Sequence, residues 1–178
     1  MATGQSATAP LPRWTVADAV ESDSCYAKLH ILELWAGRES LSVLEVLDLD
    51  IPVEDRMWAA SRMIHRHPVG EIARVLTLTR VITAYALPYE ATREWAKRWL
   101  SGEDRTFTSA EVARKSASGG ALAAKAAGTV RATWAPLWAL ASWAVSMASS
   151  GPCGAMEAER SKQIADVRTA IQSYEGAS

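Results

Sequence analysis

Apolar side chains recur at intervals of three and four along nearly the whole chain, and strand-type alternation is scarce. That period belongs to helices burying one face, and it predicts an all-α fold of about seven or eight helices in one bundle. A first helix is expected from about Ser24 to Trp35, with Ala27, Leu29, Ile31, Leu32 and Trp35 as its stripe and Gly37 as its stop. A second covers Ser40 to Leu47, with Leu41, Leu44 and Val46 apolar. Asp50-Ile51-Pro52 reads as the start of a third, because proline is tolerated in a first turn. It runs to about Ile64 over Met57, Trp58, Ala60 and Met63. His67-Pro68 breaks the pattern, and the helix from Val69 to Leu87 is apolar on more than one side. Pro88 ends it and starts Tyr89 to Leu100, where Trp95 and Trp99 lie four apart and share a face.

Beyond the loop Ser101-Gly102-Glu103-Asp104 the pattern changes character. Thr108 or Ser109 is the expected cap of a helix rich in small residues: Ala110, Ala113, Ala117, Ala121, Ala123, Ala124, Ala126 and Ala127. Gly119-Gly120 weakens it. Small residues at this spacing let a second helix approach closely. The expected partner is a helix from Val130 to Ser149, whose Trp134, Trp138 and Trp143 would fill the space beside the alanines. A last helix is expected from Ala155 to about Ser173, with Met156, Ile164, Val167 and Ile171 inward. Pro52 to Met63 and Pro88 to Leu100 each open on proline and carry Trp-Ala followed by a base, a pattern that a weak helical repeat or chance alike produces. The Ala/Thr/Ser/Pro-rich start predicts a disordered tail over residues 1–13, leaving 14–178 as a single helical domain.

Composition narrows the functional classes. With 178 residues, 49% of them apolar, the chain can bury a core without metals or disulfides. Its net charge of −1 makes no general case for nucleic acid or an acidic membrane as partner. The charge is unevenly placed: residues 1–55 hold three basic and ten acidic side chains, and residues 56–115 hold eleven and six. The two blocks read either as solvated faces or as a docking surface for a charged partner. Cys25 and Cys153 fit no metal or redox spacing. No secretory signal opens the chain, so the cytoplasm is expected. Ala132 to Met156 carries no charge and is long enough to span a bilayer, but its Ala/Ser content and Pro136 favour a buried helix.

Catalytic chemistry is hard to assemble. There is no nucleophile elbow, phosphate loop, dinucleotide fingerprint or zinc-protease motif. His65 and His67 would point to different sides of a helix end, so a metal shared with Cys25 or His30 would need a loop there. No cofactor, metal or catalytic residue is assigned. Asp48, Asp50, Glu54 and Asp55 cluster, but Ile51-Pro52 interrupts any calcium-loop spacing. They read as a solvated helix start or as a face for a basic partner. Eight tryptophans are many for this length. They pack a core, or line a pocket for a small aromatic or cationic ligand. Tyr85, Tyr89, Trp95 and Trp99 would line such a pocket across the Pro88 corner. A DNA-reading helix-turn-helix over Thr108 to Thr133 would leave only Lys125 as a base on its reading helix, Ala121 to Val130, with no Arg, Asn or Gln there to read bases.

One resemblance adds to this. Tyr89-Glu90-Ala91-Thr92-Arg93-Glu94-Trp95-Ala96-Lys97, then Gly102-Glu103, then Ser109-Ala110-Glu111-Val112-Ala113-Arg114-Lys115-Ser116-Ala117 resemble a family of Ala-rich actinobacterial helical proteins assigned an immunity role. The likeness runs from Arg74 to about Ser150 and covers under half of the chain. In that family a helix of the type A-x-x-x-A-R-x-W-A-x-G precedes a long alanine repeat. Here Pro88 replaces the usual lead-in, and Trp138 and Trp143 stand where the family tends to have Ala and His. The resemblance implies a helical protein that binds a toxin or similar effector, and it carries over no functional residues. The leading expectation is a non-enzymatic protein that neutralises or regulates a partner through the Asp48, Asp50, Glu54, Asp55 face, with neither nucleic acid nor membrane as partner. The alternative is a small-molecule-sequestering protein with a Trp-lined pocket.

Overall fold

A computed structural model describes residues 9–22, 26–117, 120–131, 144–149 and 155–177. Apart from one short ribbon of two strands the fold is all-α. The chain divides into two compact units, Met1–Ile72 with Ile164–Ser178, and Ala73–Gln163. Both boundaries fall inside helices.

The first unit opens with β1 (Arg13–Thr15) and α1 (Val16–Glu21), followed by α2 (Lys28–Trp35), β2 (Ser40–Ser42), α3 (Val43–Leu47) and α4 (Val53–Ile64). Strands β1 and β2 are antiparallel, with Trp14 opposite Leu41. Each strand ends at a residue that caps the next helix. The Thr15 hydroxyl accepts from the Asp18 amide while Asp18 accepts from the Thr15 amide at 2.7 Å. Ser42 and Glu45 make the same reciprocal pair, the Ser42 amide donating to Glu45 at 2.7 Å. Such a capping box satisfies two otherwise orphaned donors. It also corrects the helix expected from Ser40. A cap residue is extended, so Ser40-Leu41-Ser42 pairs as a strand and the helix begins at Val43. Arg13 clamps the ribbon, donating to the Ser40 hydroxyl and carbonyl, each at 2.9 Å.

Behind the ribbon Trp35 is buried and its indole N–H donates to the Trp14 carbonyl at 3.3 Å. Trp14 meets Trp58 edge-on with ring centroids 6.3 Å apart. Helix α2 stops at Ala36, which takes a left-handed φ of 49° one residue before Gly37. Pro52 sits at the N-cap of α4 and Glu54 and Asp55 in its first turn, where acids suit the helix dipole. After α4 the chain turns sharply into α5 (Pro68–Tyr85). A β-carbon on Gly70 would lie 2.2 Å from the Ile64 carbonyl oxygen, so only glycine permits this turn. His67 fastens it: its Nδ1 accepts from the Val69 amide at 3.3 Å, and its ring meets Tyr174 edge-on. The Tyr174 hydroxyl donates to the Ala9 carbonyl at 3.1 Å, so the expected tail is tied down as far back as residue 9.

The second unit contains the later part of α5, then α6 (Glu90–Ser101), α7 (Phe107–Ser116), α8 (Ala121–Arg131), helical residues 144–148 and the start of α9 (Ala155–Gly176). The alanine run is divided in two near Gly120. The cap of α7 is Thr106, not Thr108 or Ser109. Its hydroxyl accepts from the Ser109 amide, and Asp104 accepts from the Thr106 amide and from both hydroxyls. Helix α7 packs along α8, with Ala110, Ala113, Ala126 and Ala127 buried in one core with Leu78, Ile82, Trp95 and Trp99. Trp134, Trp138 and Trp143, Cys25 and Cys153 and most of the uncharged stretch after Arg131 lie outside the described residues. Among the described residues no helix is long and apolar enough to cross a membrane. On α9, Val167 and Ile171 are buried as expected, but Met156 is exposed.

Gly70→Ala should lower stability by about 1–3 kcal/mol in chemical denaturation, because backbone rather than a side chain must move. Acid should act through Glu45. Hydrogen bonds from the Ser42 amide and hydroxyl, with help from the Arg13 and Arg38 charges, hold its carboxyl below the ordinary 4.5. The stabilisation is therefore present above that ordinary value and lost as pH falls through the lower folded one. Denaturation midpoints measured down the acid limb should fall less for Glu45→Gln than for the parent chain.

Candidate functional site

The acidic residues singled out in the sequence come together where α3 hands over to α4. Asp48 is the C-cap of α3, a position that the helix dipole disfavours for an anion. Arg168 of α9 compensates it with a 2.5 Å ion pair. Asp55 accepts from the Tyr26 hydroxyl at 2.5 Å. The Arg56 guanidinium donates to the Leu47 carbonyl at 3.1 Å, which satisfies one of the last carbonyls of α3. Asp50 and Glu54 are exposed. The cluster is thus a surface laced by two arginines and a tyrosine. Among the described residues no group of three or more His, Cys, Asp or Glu could hold a metal ion.

Helix α2, linked to this turn through Tyr26, carries an apolar feature that the sequence reading assigned to the core. Leu29 is 74% exposed and Leu32 45% exposed on α2, three apart and so on one face. Ile31 and Trp35 take the buried side of that short helix. Tyr26 connects the two features, stacking on His30 of α2 at 5.0 Å while bonding Asp55 of α4. The signal was available: five of the eight residues of α2 are apolar, more than one buried face can use.

The two tryptophans of the aromatic corner proposed as a ligand pocket are core. Trp95 is 5% exposed and Trp99 2%, and both belong to the alanine-lined cluster. Neither indole N–H has a hydrogen-bond partner among the described residues. Arg105 covers Trp99 from outside, its guanidinium 4.7 Å from the ring centroid and its Nε donating to the Trp99 carbonyl. Tyr89 is half-exposed, but its ring lies so close to Gly120 that a β-carbon there would be 2.9 Å from it. Tyr85 packs partly buried against the same cluster. Burial, and next the charge of Glu159, push its hydroxyl above the ordinary value.

Sequence reasoning missed the polar group that the second unit does bury. Glu159 and Gln163 are 6% and 2% exposed; Arg80 pairs with Glu159, and Gln163 donates to it at 3.2 Å. Their spacing on α9 continues the buried stripe of Val167 and Ile171, so two polar residues on an apolar face were the clue. A carboxylate so paired and bonded serves the fold, since removing either partner would strand the other charge. His65 is exposed at the C-cap of α4 while His67 is bonded inward.

A groove does exist in the second unit, away from the aromatic corner. Arg114, Ala124, Lys125, Gly128, Thr129, Ser146 and Met147 line about 460 Å³ of space. No family model matches this chain, and neither a curated protein nor a solved structure matches it.

Trp99→Ala should cost about 3–5 kcal/mol, as for a large side chain removed from a close-packed core. A thermal or denaturant midpoint close to that of the parent chain would instead mark Trp99 as an open pocket wall.

Proposed function

We propose that the chain is a non-enzymatic binding protein that neutralises or regulates a basic partner protein. The observation that carries this is the pairing of Leu29 and Leu32, exposed on α2, with the acidic α3–α4 turn that Tyr26 ties to the same helix. An exposed apolar pair near an acidic cluster suits a protein interface, where apolar anchors hold and rim charges steer. The first unit as a whole carries seven basic and thirteen acidic side chains, so a basic partner is attracted over a range longer than the contact itself. The immunity-type resemblance of residues 74–150 points to the same class of function, a helical protein that occupies an effector. The acidic cluster offers attraction rather than chemistry, because two of its four carboxylates already serve Arg168 and Tyr26.

The test is capture from the source organism with the full chain as bait, at low and at high salt. A basic protein should be retained at low salt and weakened at high salt. Leu29→Glu should reduce its capture about tenfold or more, as loss of an interface anchor does. Asp50→Lys should slow association without changing the melting temperature. Absence of any partner under both conditions would overturn the reading, as would a partner indifferent to both substitutions.

A further inference from the structure

Helix α8 has two working sides. Ala123, Ala126, Ala127 and Val130 are fully or almost fully buried, and they face the core. Ala124 and Gly128, four apart, lie on a flank that remains partly open. That flank, with Arg114 of α7 and with Ser146 and Met147 from the helical residues 144–148, forms the groove of about 460 Å³. Such a volume lies within the range of small-molecule sites, roughly 300–1,000 Å³.

The lining has a definite chemistry. Ala124, Gly128 and Met147 give it an apolar wall, and the two glycine and alanine positions are what keep it open. Two cations stand at its border, and no carboxylate is among the described lining residues. Arg114 is held in place by Glu111, which accepts from its Nε and Nη2, each at 2.9 Å. Lys125 is exposed and makes no ion pair among the described residues. The Thr129 hydroxyl is already committed to the Lys125 carbonyl at 2.8 Å, which leaves Ser146 as the other hydroxyl among the described lining residues.

We propose that this groove binds a small amphiphilic anion, an apolar chain or ring bearing one carboxylate. The apolar body lies along Ala124, Gly128 and Met147, and the head sits toward Lys125 and Arg114. A purely polar anion forfeits the wall, and an amphiphilic cation meets the like charge of Lys125, the Arg114 charge being already paired with Glu111. The site lies wholly in the second unit and is independent of the partner-binding face argued above.

Calorimetric titration of the full chain with decanoate, acetate and decyltrimethylammonium tests this. Decanoate should bind, and the other two should bind about tenfold more weakly or not at all. Lys125→Gln, on an exposed helical position, should weaken decanoate about three- to fivefold at low salt. Gly128→Leu should fill the groove and abolish binding. Gly128→Ala should fold normally, because the added methyl would sit 3.6 Å from Arg114 Cδ, an ordinary contact. Circular dichroism establishes that each variant is folded. Should Gly128→Leu fail to fold, Lys125→Gln and the three probes still decide. No heat with decanoate would overturn the proposal. So would equal affinity for decyltrimethylammonium, an unchanged Kd in Lys125→Gln, or binding retained by a folded Gly128→Leu.

Discussion

Close approach between α7 and α8 is the constraint on which the second unit depends. Ala110 and Ala113 on one helix and Ala126 and Ala127 on the other are buried. Methyl groups at these positions let the two backbones come near, and a core at close-packed density must then be filled from the side. Trp95 and Trp99 of α6 do the filling. The arrangement has a cost, because both indole N–H groups lack partners among the described residues. An unpaired buried donor costs about 1–3 kcal/mol. Burying an indole removes about 200 Å² from water, worth about 5 kcal/mol. Burial wins, which is why the rings stay in the core instead of turning toward a polar site.

Trp95 and Trp99 thus meet the core with their apolar faces and find no polar partner among the described residues. The two units differ in sign of charge. Acidic side chains outnumber basic ones by thirteen to seven in the first unit, whereas basic outnumber acidic by twelve to seven in the second. The apolar pair on α2 therefore sits in an acidic setting, and the groove beside α8 sits in a basic one. Each feature on its own would be unremarked surface. Combined with the local charge, the two features differ in chemical character.

Much of the fold was legible because most helices announce themselves by period and punctuation. Pro52, Pro68 and Pro88 stand at or just before the starts of α4, α5 and α6, where a fixed φ suits the chain. Trp95 and Trp99 share a face because they are four apart. What escaped the period was short. Three residues of strand give no alternation to detect, yet Thr15-x-x-Asp18 and Ser42-x-x-Glu45 are capping-box spacings that mark both helix starts. Thr106 was passed over as a cap because Asp104, which orders its loop, acts through hydrogen bonds that no spacing rule encodes. For the candidate sites, sequence brought together the acidic residues 48–55 but not Tyr26 or Leu29. It placed the pocket at the aromatic corner because large rings suggest a cavity wall, whereas here they plug one.

The same small residues that close the core also open the groove, and helical geometry separates the two effects. On α8 the positions at 123, 126, 127 and 130 fall on one side, and those at 124 and 128 on its flank. Where alanines meet α7 and α6, the space they leave is taken by methyls and indoles. Where Ala124 and Gly128 face the helical residues 144–148, Met147 and Arg114 border the space without filling it. A bulkier residue at either position would remove the groove without disturbing the buried side, so the alanine-rich composition performs two separable tasks. The core needs small side chains so that helices can touch. The groove needs them so that its space stays open.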